Sequence, residues 1–496
     1  VMRMYGTAMG AVLDGVDGML IRVEADVSHG LPQFSIVGLP DSAVNESRLR
    51  IRAALRNAGI EFPNRRITVN LSPASFRKRG AGLDLAIAIA MLRAAGIVPP
   101  HSGSAWGFAA ELRLDGSLAP VQGLVNLGLA FCRHGLPCAV LARDQADDCL
   151  PVPGLAWLSF SSLAEVVTAL RQPDRACSAE LHPAACWEMG VDLLDMAELS
   201  GMAEAKRALA IAAAGRLHAL LIGPPGCGKT SLAERFATIL PNLSEMEALE
   251  VHAIFQAAGL EPPRSRRPVT RSPHHSVTAA GLIGGGNQLL PGEVTLAHHG
   301  VLFLDELLEF SRPVLDSIRE PLVTKSVRLT RNARTTRLPA DFILIAACNP
   351  CPCGQRGFGE CRCPDAAVTR YWANLSGPLL DRIDLLIPVG PRQHGTRAAE
   401  SWDEALSSRQ WRARVEAAQA RLACWRTAGQ SPAMDQGAAH LLTRAARTLR
   451  WSQRALASAR HIAATIAALD GQDGVTTRHV EEAIAWRMPP SPAPAR

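Results

Sequence analysis

Short apolar runs separated by turn signals open the chain. Within residues 1–170, FSIVGLP, RITVNLSP, LAPVQGL and CAVLA each combine a strand's share of Val, Ile, Leu or Phe with nearby Gly or Pro. Between them, Ser42–Ala58 and Leu83–Ala95 repeat apolar residues at helical spacing. This mixture predicts an α+β domain over 1–170. Residues 171–190 carry two prolines and no periodicity, which predicts a linker. From 191 to 395 the runs Ala219–Ile222, Val301–Leu304 and Phe342–Ala347 are continuously apolar and alternate with helical stretches. That is the pattern of parallel strands covered on both faces, an α/β fold. From 396 to 496 the spacing predicts helices at Trp402–Trp425, Gly437–Leu449, Ala455–Leu469 and Thr477–Trp486, then a Pro-rich tail from Pro489.

At 496 residues the chain exceeds one hydrophobic core, so about three domains are expected. Hydrophobic residues at 48% and charged residues at 20% exclude a disordered chain. The net charge of +6 is mild for this length; it permits nucleic-acid binding without arguing for it. Asp14 and Asp17 interrupt the region a secretory signal keeps apolar, and Leu83–Leu92 and Ala208–Ala214 are too short to span a bilayer. No membrane partner is expected. Most of the 12 cysteines are scattered rather than dense, which fits a reducing cytoplasm.

The chemistry starts at Gly223-Pro224-Pro225-Gly226-Cys227-Gly228-Lys229-Thr230, which matches G-x-x-x-x-G-K-[ST] between an apolar strand and a predicted helix, Ser231–Leu240. Glycines let backbone N–H groups wrap phosphates, and the helix start adds a favourable dipole. Lys229 is expected on the β- and γ-phosphates of ATP and Thr230 on Mg²⁺. Val301–Leu304 delivers Asp305 and Glu306 at a strand's C-terminal end. Downstream of a phosphate loop these are the candidate Mg²⁺ anchor and water-activating base. Phe342–Ala347 leads to Asn349, either a γ-phosphate contact or a turn residue before Pro350. Arg382 and Arg454 are candidate stabilisers of transferred charge; spacing alone makes each equally a solvated surface arginine.

The set GPPGCGKT, GVLFLDELLEFSRPVLDSIREPL, ACNPCPCG and SGPLLDRID closely resembles ComM-type proteins, the magnesium-chelatase-like AAA+ ATPases. GLPQFSIVGLPDSAVNESRLRIRAAL is similar to the same family, so the resemblance covers nearly the whole chain. It implies an N-terminal Lon-protease-like domain, a central AAA+ ATPase and a C-terminal helical lid. It implies that Arg382 is an arginine finger acting on a neighbour's ATP, Arg454 the lid's sensor and Asn349 the first sensor. It further implies a hexameric ring that moves single-stranded or branched DNA alongside recombination proteins, a branch-migration helicase of natural transformation. Two other activities stay open: the ATPase subunit of a magnesium chelatase, and a Lon-like protease. The second is disfavoured because Gly82 and Val125 fall where the nucleophilic serine and its lysine are required. Some positions depart from the pattern, among them Gly215-Arg216-Leu217-His218 before the phosphate loop and Ala457-Ser458 in the lid.

Two further stretches carry chemistry. Lys325, Arg328, Arg331, Arg334 and Arg337 flank a turn at Asn332, a plausible basic hairpin. The resemblance makes it a pore element whose target is the DNA backbone. As a bare pattern it is equally a solvated edge hairpin. The Gly-rich stretch Thr278–Gly286 resembles a second pore insert, and by itself is only a flexible loop; the cluster Arg65, Arg66, Arg77, Lys78, Arg79 is a weaker DNA candidate, expected instead as a solvated face. Cys351, Cys353, Cys361 and Cys363 form two C-x-C pairs, a four-thiolate set suited to structural Zn²⁺, with free thiols or a redox pair as the alternative.

Overall fold

The computed structural model describes residues 5–74, 78, 80–172, 187–188, 190, 193–286, 289–331, 334–390, 406–427 and 432–488. Most of the expected linker, the tail from Pro489, Arg77, Arg79 and the turn residue Asn332 lie outside the described residues. Lys78, expected on a solvated face, is instead fully buried, and its Nζ donates to Pro73 O.

The chain forms two compact units. The first holds 1–188 together with 248–265, so a segment expected inside the ATPase region packs with the N-terminal unit. The second holds 189–247 and 266–496; the C-terminal helices join it instead of standing as a third unit.

The first unit is built on seven strands in the spatial order Gln33–Val37, Arg66–Ser72, Asp17–Ser28, Tyr5–Asp14, Trp106–Ala109, Cys138–Ala142 and Ala156–Phe160. Asp17–Ser28 alternates buried and open positions with the strand period of two. Helix Ser42–Asn57 starts where Asp41 accepts the Val44 N–H. Helix Asp84–Ala94 is buried at every position, which explains its nearly unbroken apolar sequence. Helix Leu124–Arg133 contributes to a separate apolar cluster with Cys138–Ala142 and Trp157. Helix Glu245–Ala258 places Leu249 and Ala253 against Val125 and Leu150, and the Asn126 amide donates to Val16 O (2.7 Å) and Ala253 O (3.0 Å).

The second unit carries five parallel strands in the order Thr270–Arg271, Val301–Leu304, Ile343–Cys348, Ala219–Ile222, Leu385–Pro388. Parallel pairing sets the C-terminal ends of Ala219–Ile222, Val301–Leu304 and Ile343–Cys348 on one edge, where ligands bind in open α/β sheets. The helices are Ser408–Thr427, Gln436–Thr448, Gln453–Leu469 and Thr477–Arg487, near the expected spans; residues 402–405 of the first expectation lie outside the described residues. They share one apolar core with the sheet and with helix Ala203–Gly215. Across that core, buried Arg207 bridges Asp470 (2.9 and 3.1 Å) and Glu482 (2.7 and 2.8 Å).

Candidate nucleotide site

Four fully buried residues, Ala219–Ile222, carry the chain into the glycine loop, and a helix starts at Lys229. Gly228 has φ +89°, a left-handed conformation that favours glycine, and a Cβ there would sit 2.6 Å from Met202 Cε. A Cβ on Gly223 would sit 2.0 Å from Val389 O, so the base of the loop is pinned to the next strand's end. Lys229 is folded over this loop. Its Nζ donates to Gly223 O and Pro224 O (both 2.8 Å) and to Asn349 Oδ1 (3.2 Å). The lysine and Asn349 therefore converge although 120 residues separate them. Burial pushes the Cys348 thiol beside them up to about 12, so it stays protonated.

Thr230 Oγ1 donates to Asp305 Oδ2 at 2.8 Å. Two oxygens at this spacing suit a hard cation: adjacent ligands of an Mg²⁺ octahedron lie about 2.9 Å apart. Asp305 Oδ1 accepts the Glu306 N–H (2.9 Å), and Glu306 adopts φ +51°, an uncommon conformation for a residue with a Cβ. It leaves the Glu306 carboxylate exposed, 3.7 Å from His275 Nδ1. The sequence reading missed His275. It follows Thr270–Arg271, a strand of two residues with no apolar run to announce it.

Three family models match the chain: magnesium chelatase, subunit ChlI, over 195–397; subunit ChlI of Mg-chelatase over 23–145; and the ChlI C-terminal region over 405–487. The chain is 36% identical over 488 residues to the competence protein ComM of Haemophilus influenzae, covering 95% of each. It is 36% identical over 495 residues to YifB of Escherichia coli, again covering 95% of each. An uncharacterized protein of Mycobacterium tuberculosis is 40% identical over 413 residues, 82% of this chain and 81% of that one. This chain belongs to the ComM and YifB type of magnesium-chelatase-like AAA+ ATPases.

ComM-type membership implies ATP and Mg²⁺ as ligands, and the donors around Lys229, Thr230 and Asp305 fit both. Among the described residues, no helix is long and apolar enough to cross a membrane.

Arg382 and Arg454 sit elsewhere. Arg382 precedes strand Leu385–Pro388, whose first residue pairs with Ala219. It thus lies at the end where strands enter the sheet, opposite Lys229. Arg454, exposed in the first turn of helix Gln453–Leu469, is close enough to influence both Arg382 and His218. Burial, then repulsion from Arg454 and Arg319, lowers the Arg382 pKa, with Asp381 opposing. Beneath this group a polar network ties the sheet to the C-terminal helices. Asp384 accepts from the His218 N–H (3.1 Å) and the Ser458 hydroxyl (2.5 Å), and Arg487 donates to Ser458 (2.6 Å). Two of the positions that depart from the family pattern, His218 and Ser458, are thus partners of one carboxylate.

The basic stretch is a hairpin, Ser326–Arg331 against Arg334–Pro339, with Arg328 opposite Arg337. Val327 and Leu329 are buried while Arg328 and Arg337 are exposed. The side chains of Arg331 and Arg334 lie outside the described residues. Lys325 stands at the hairpin's base and binds Asp341 at 3.0 Å. Thr278–Gly286 forms a short helix, Ala279–Ile283, then pairs Gly284–Gly285 with Leu290–Pro291. The ligand atoms of Cys351, Cys353, Cys361 and Cys363 all lie within 4.8 Å of one another.

Proposed function

We propose that this chain is an ATP-driven DNA translocase or branch-migration helicase that works as a hexameric ring. The observation that carries the reading is the division of the ATP chemistry between two ends of one sheet. Lys229, Thr230, Asp305 and Asn349 gather at one end, and Arg382 and Arg454 at the other. A protomer that presents both is complete only beside a second copy, whose arginines meet the phosphates it holds. In that arrangement Thr230 and Asp305 would hold Mg²⁺, which would supply charge neutralisation at the phosphates. Lys229 exchanges its loop carbonyls for the β- and γ-phosphates, and Glu306, released from His275, polarises the attacking water. The exposed arginines of the hairpin Ser326–Pro339 suit a DNA backbone, read through charge and not sequence. The name of the H. influenzae relative, a competence protein, supports a role with incoming DNA in natural transformation, alongside recombination proteins. The first unit takes the Lon-protease-like role without proteolysis. Val125 is buried, with its N–H on Gln256 Oε1 at 3.2 Å, and Gly82 has no side chain to act as nucleophile.

The test is migration of a synthetic four-way junction by the purified chain with ATP, together with DNA-stimulated hydrolysis. Native protein should move the junction, Lys229→Ala should lose nucleotide binding, and Glu306→Gln should bind ATP without moving DNA. A protein that hydrolyses ATP, ignores DNA and responds instead to a metal-chelatase partner is the chelatase-type ATPase, which the family models keep as the second reading.

A further inference from the structure

The segment after Asn349 is a loop held at both ends by cysteines and seated on the phosphate loop. Cys351 lies 3.4 Å from Cys353 and 3.7 Å from Cys361, sulfur to sulfur, and Cys353 lies 3.7 Å from Cys361. A Zn²⁺ ion with four thiolates at 2.3 Å in a tetrahedron spaces its sulfurs about 3.8 Å apart. A disulfide would need about 2.05 Å. The Cys363 N–H points at Cys361 Sγ (3.4 Å), as amides do around metal-bound thiolates. Cys351 is buried while Cys353 is exposed, so an ion has an entry path.

The loop between the cysteine pairs meets the phosphate loop directly at Gly354 and through Gly390 at Phe358, and the residue before the first cysteine is anchored separately. Gly354, at φ +77°, packs so closely on Pro225 that a Cβ would sit 2.4 Å from the proline ring. Gly390 is wedged between Pro224 and Phe358, with contacts of 3.2 and 3.4 Å for a Cβ there. Pro350, between Asn349 and Cys351, is fixed through its carbonyl by the Trp372 indole N–H at 3.0 Å. Within the loop, three glycines (Gly354, Gly357, Gly359) make the backbone costly to order without a cross-link.

We propose that Cys351, Cys353, Cys361 and Cys363 hold one structural Zn²⁺, and that the loop it closes buttresses Pro224, Pro225 and Asn349, so that ATP affinity depends on the metal. The four thiols give up protons as the ion enters, and no redox step is involved. With four sulfurs bound the ion has no open position, so its role is mechanical and not catalytic. The coupling rests on the ATP-site reading given above.

Metal content and nucleotide binding separate the two ideas. Native protein should carry one zinc per chain, and Co²⁺ exchanged into it should show the thiolate charge-transfer bands of a tetrahedral sulfur site. Removing the metal with a chelator should weaken binding of a fluorescent ATP analogue roughly tenfold, the factor that re-ordering about one residue of backbone costs. Adding Zn²⁺ back should restore it. Cys353→Ser/Cys361→Ser should match the chelated protein, and because the chelation is reversible, a variant that fails to fold does not decide the matter. Lys229→Ala should keep its zinc and lose nucleotide. Native protein without zinc or cobalt bands overturns the site; metal removed with analogue affinity unchanged overturns the buttress. Zinc-loaded native protein that binds no nucleotide overturns the ATP-site reading and the coupling with it.

Discussion

Mixing two inactive variants tests whether ATP hydrolysis is shared between subunits. Strand Ala219–Ile222 has four residues, and at ~3.3 Å per residue it separates the glycine loop from the strand-entry end by about 13 Å. Arg382 lies beyond that end, three residues before Leu385, the partner of Ala219. A phosphate on Lys229 lies past the other end, so an arginine side chain cannot span the gap within its own protomer. In trans, an arginine of this kind contributes roughly 10³–10⁵ in rate, or about 4–7 kcal/mol of barrier. Arg382→Ala should therefore bind ATP normally and hydrolyse it at least about a thousandfold more slowly. Lys229→Ala should fail at binding. When equal amounts are mixed before assembly, about a quarter of head-to-tail interfaces pair an intact Lys229 with an intact Arg382. Phosphate release should recover to about a quarter of the native rate per site. The assay is steady-state phosphate release at saturating ATP, with nucleotide binding and co-assembly verified on the same samples. Full hydrolysis by Arg382→Ala alone, or co-assembled mixtures no faster than either parent, would refute the shared site.

Other perturbations read separate parts of the structure. Arg207→Met strands Asp470 and Glu482 across the core of the second unit, a loss of the ~3–5 kcal/mol class. Their side chains keep 21% and 20% exposure, so about 3 kcal/mol is expected, measured by denaturant unfolding followed through tryptophan fluorescence. Asp470→Asn/Glu482→Gln added to it should restore much of the loss. Burial lowers the pKa of His218, with Asp384 opposing, and its Nδ1 accepts the Leu344 N–H at 3.1 Å. The unfolded chain then binds more protons than the folded one, so stability should fall as pH drops below about 6.5, and His218→Asn should flatten that slope in thermal unfolding. Arg328→Ala/Arg337→Ala should weaken DNA binding equally across sequences and reduce the slope of log K against log salt by about 1.4–1.8, read by anisotropy titrations.

The glycine loop and the carboxylates after Leu304 were legible because local residue order dictates them: each stands at the end of a fully buried strand. The four C-terminal helices followed from apolar spacing for the same reason. Long-range consequences were less accessible. Tyr5–Asp14 and Asp17–Ser28 alternate in a Gly- and Asp-broken sequence, so they escaped a search for continuous apolar runs. Lys229 meeting Asn349 depends on strand order, which pairs Ala219–Ile222 with Ile343–Cys348 across more than a hundred intervening residues. The separation of Arg382 from Lys229 depends on strand direction, which no motif encodes. His275 beside Glu306 arises from a loop whose sequence, Ser272-Pro273-His274-His275, has no periodicity.

Helix Glu245–Ala258 makes the N-terminal unit discontinuous in the gene. A fragment cut at Glu188 would fold without Leu249 and Ala253, baring Val125 and Leu150 and leaving the Asn126 amide short of one acceptor. Neither unit can be excised as a single uninterrupted stretch of codons. Exchange of modules between relatives must therefore move the Ala248–Ser265 excursion along with the sequence before Glu188, or leave the Val125 and Leu150 cluster uncovered.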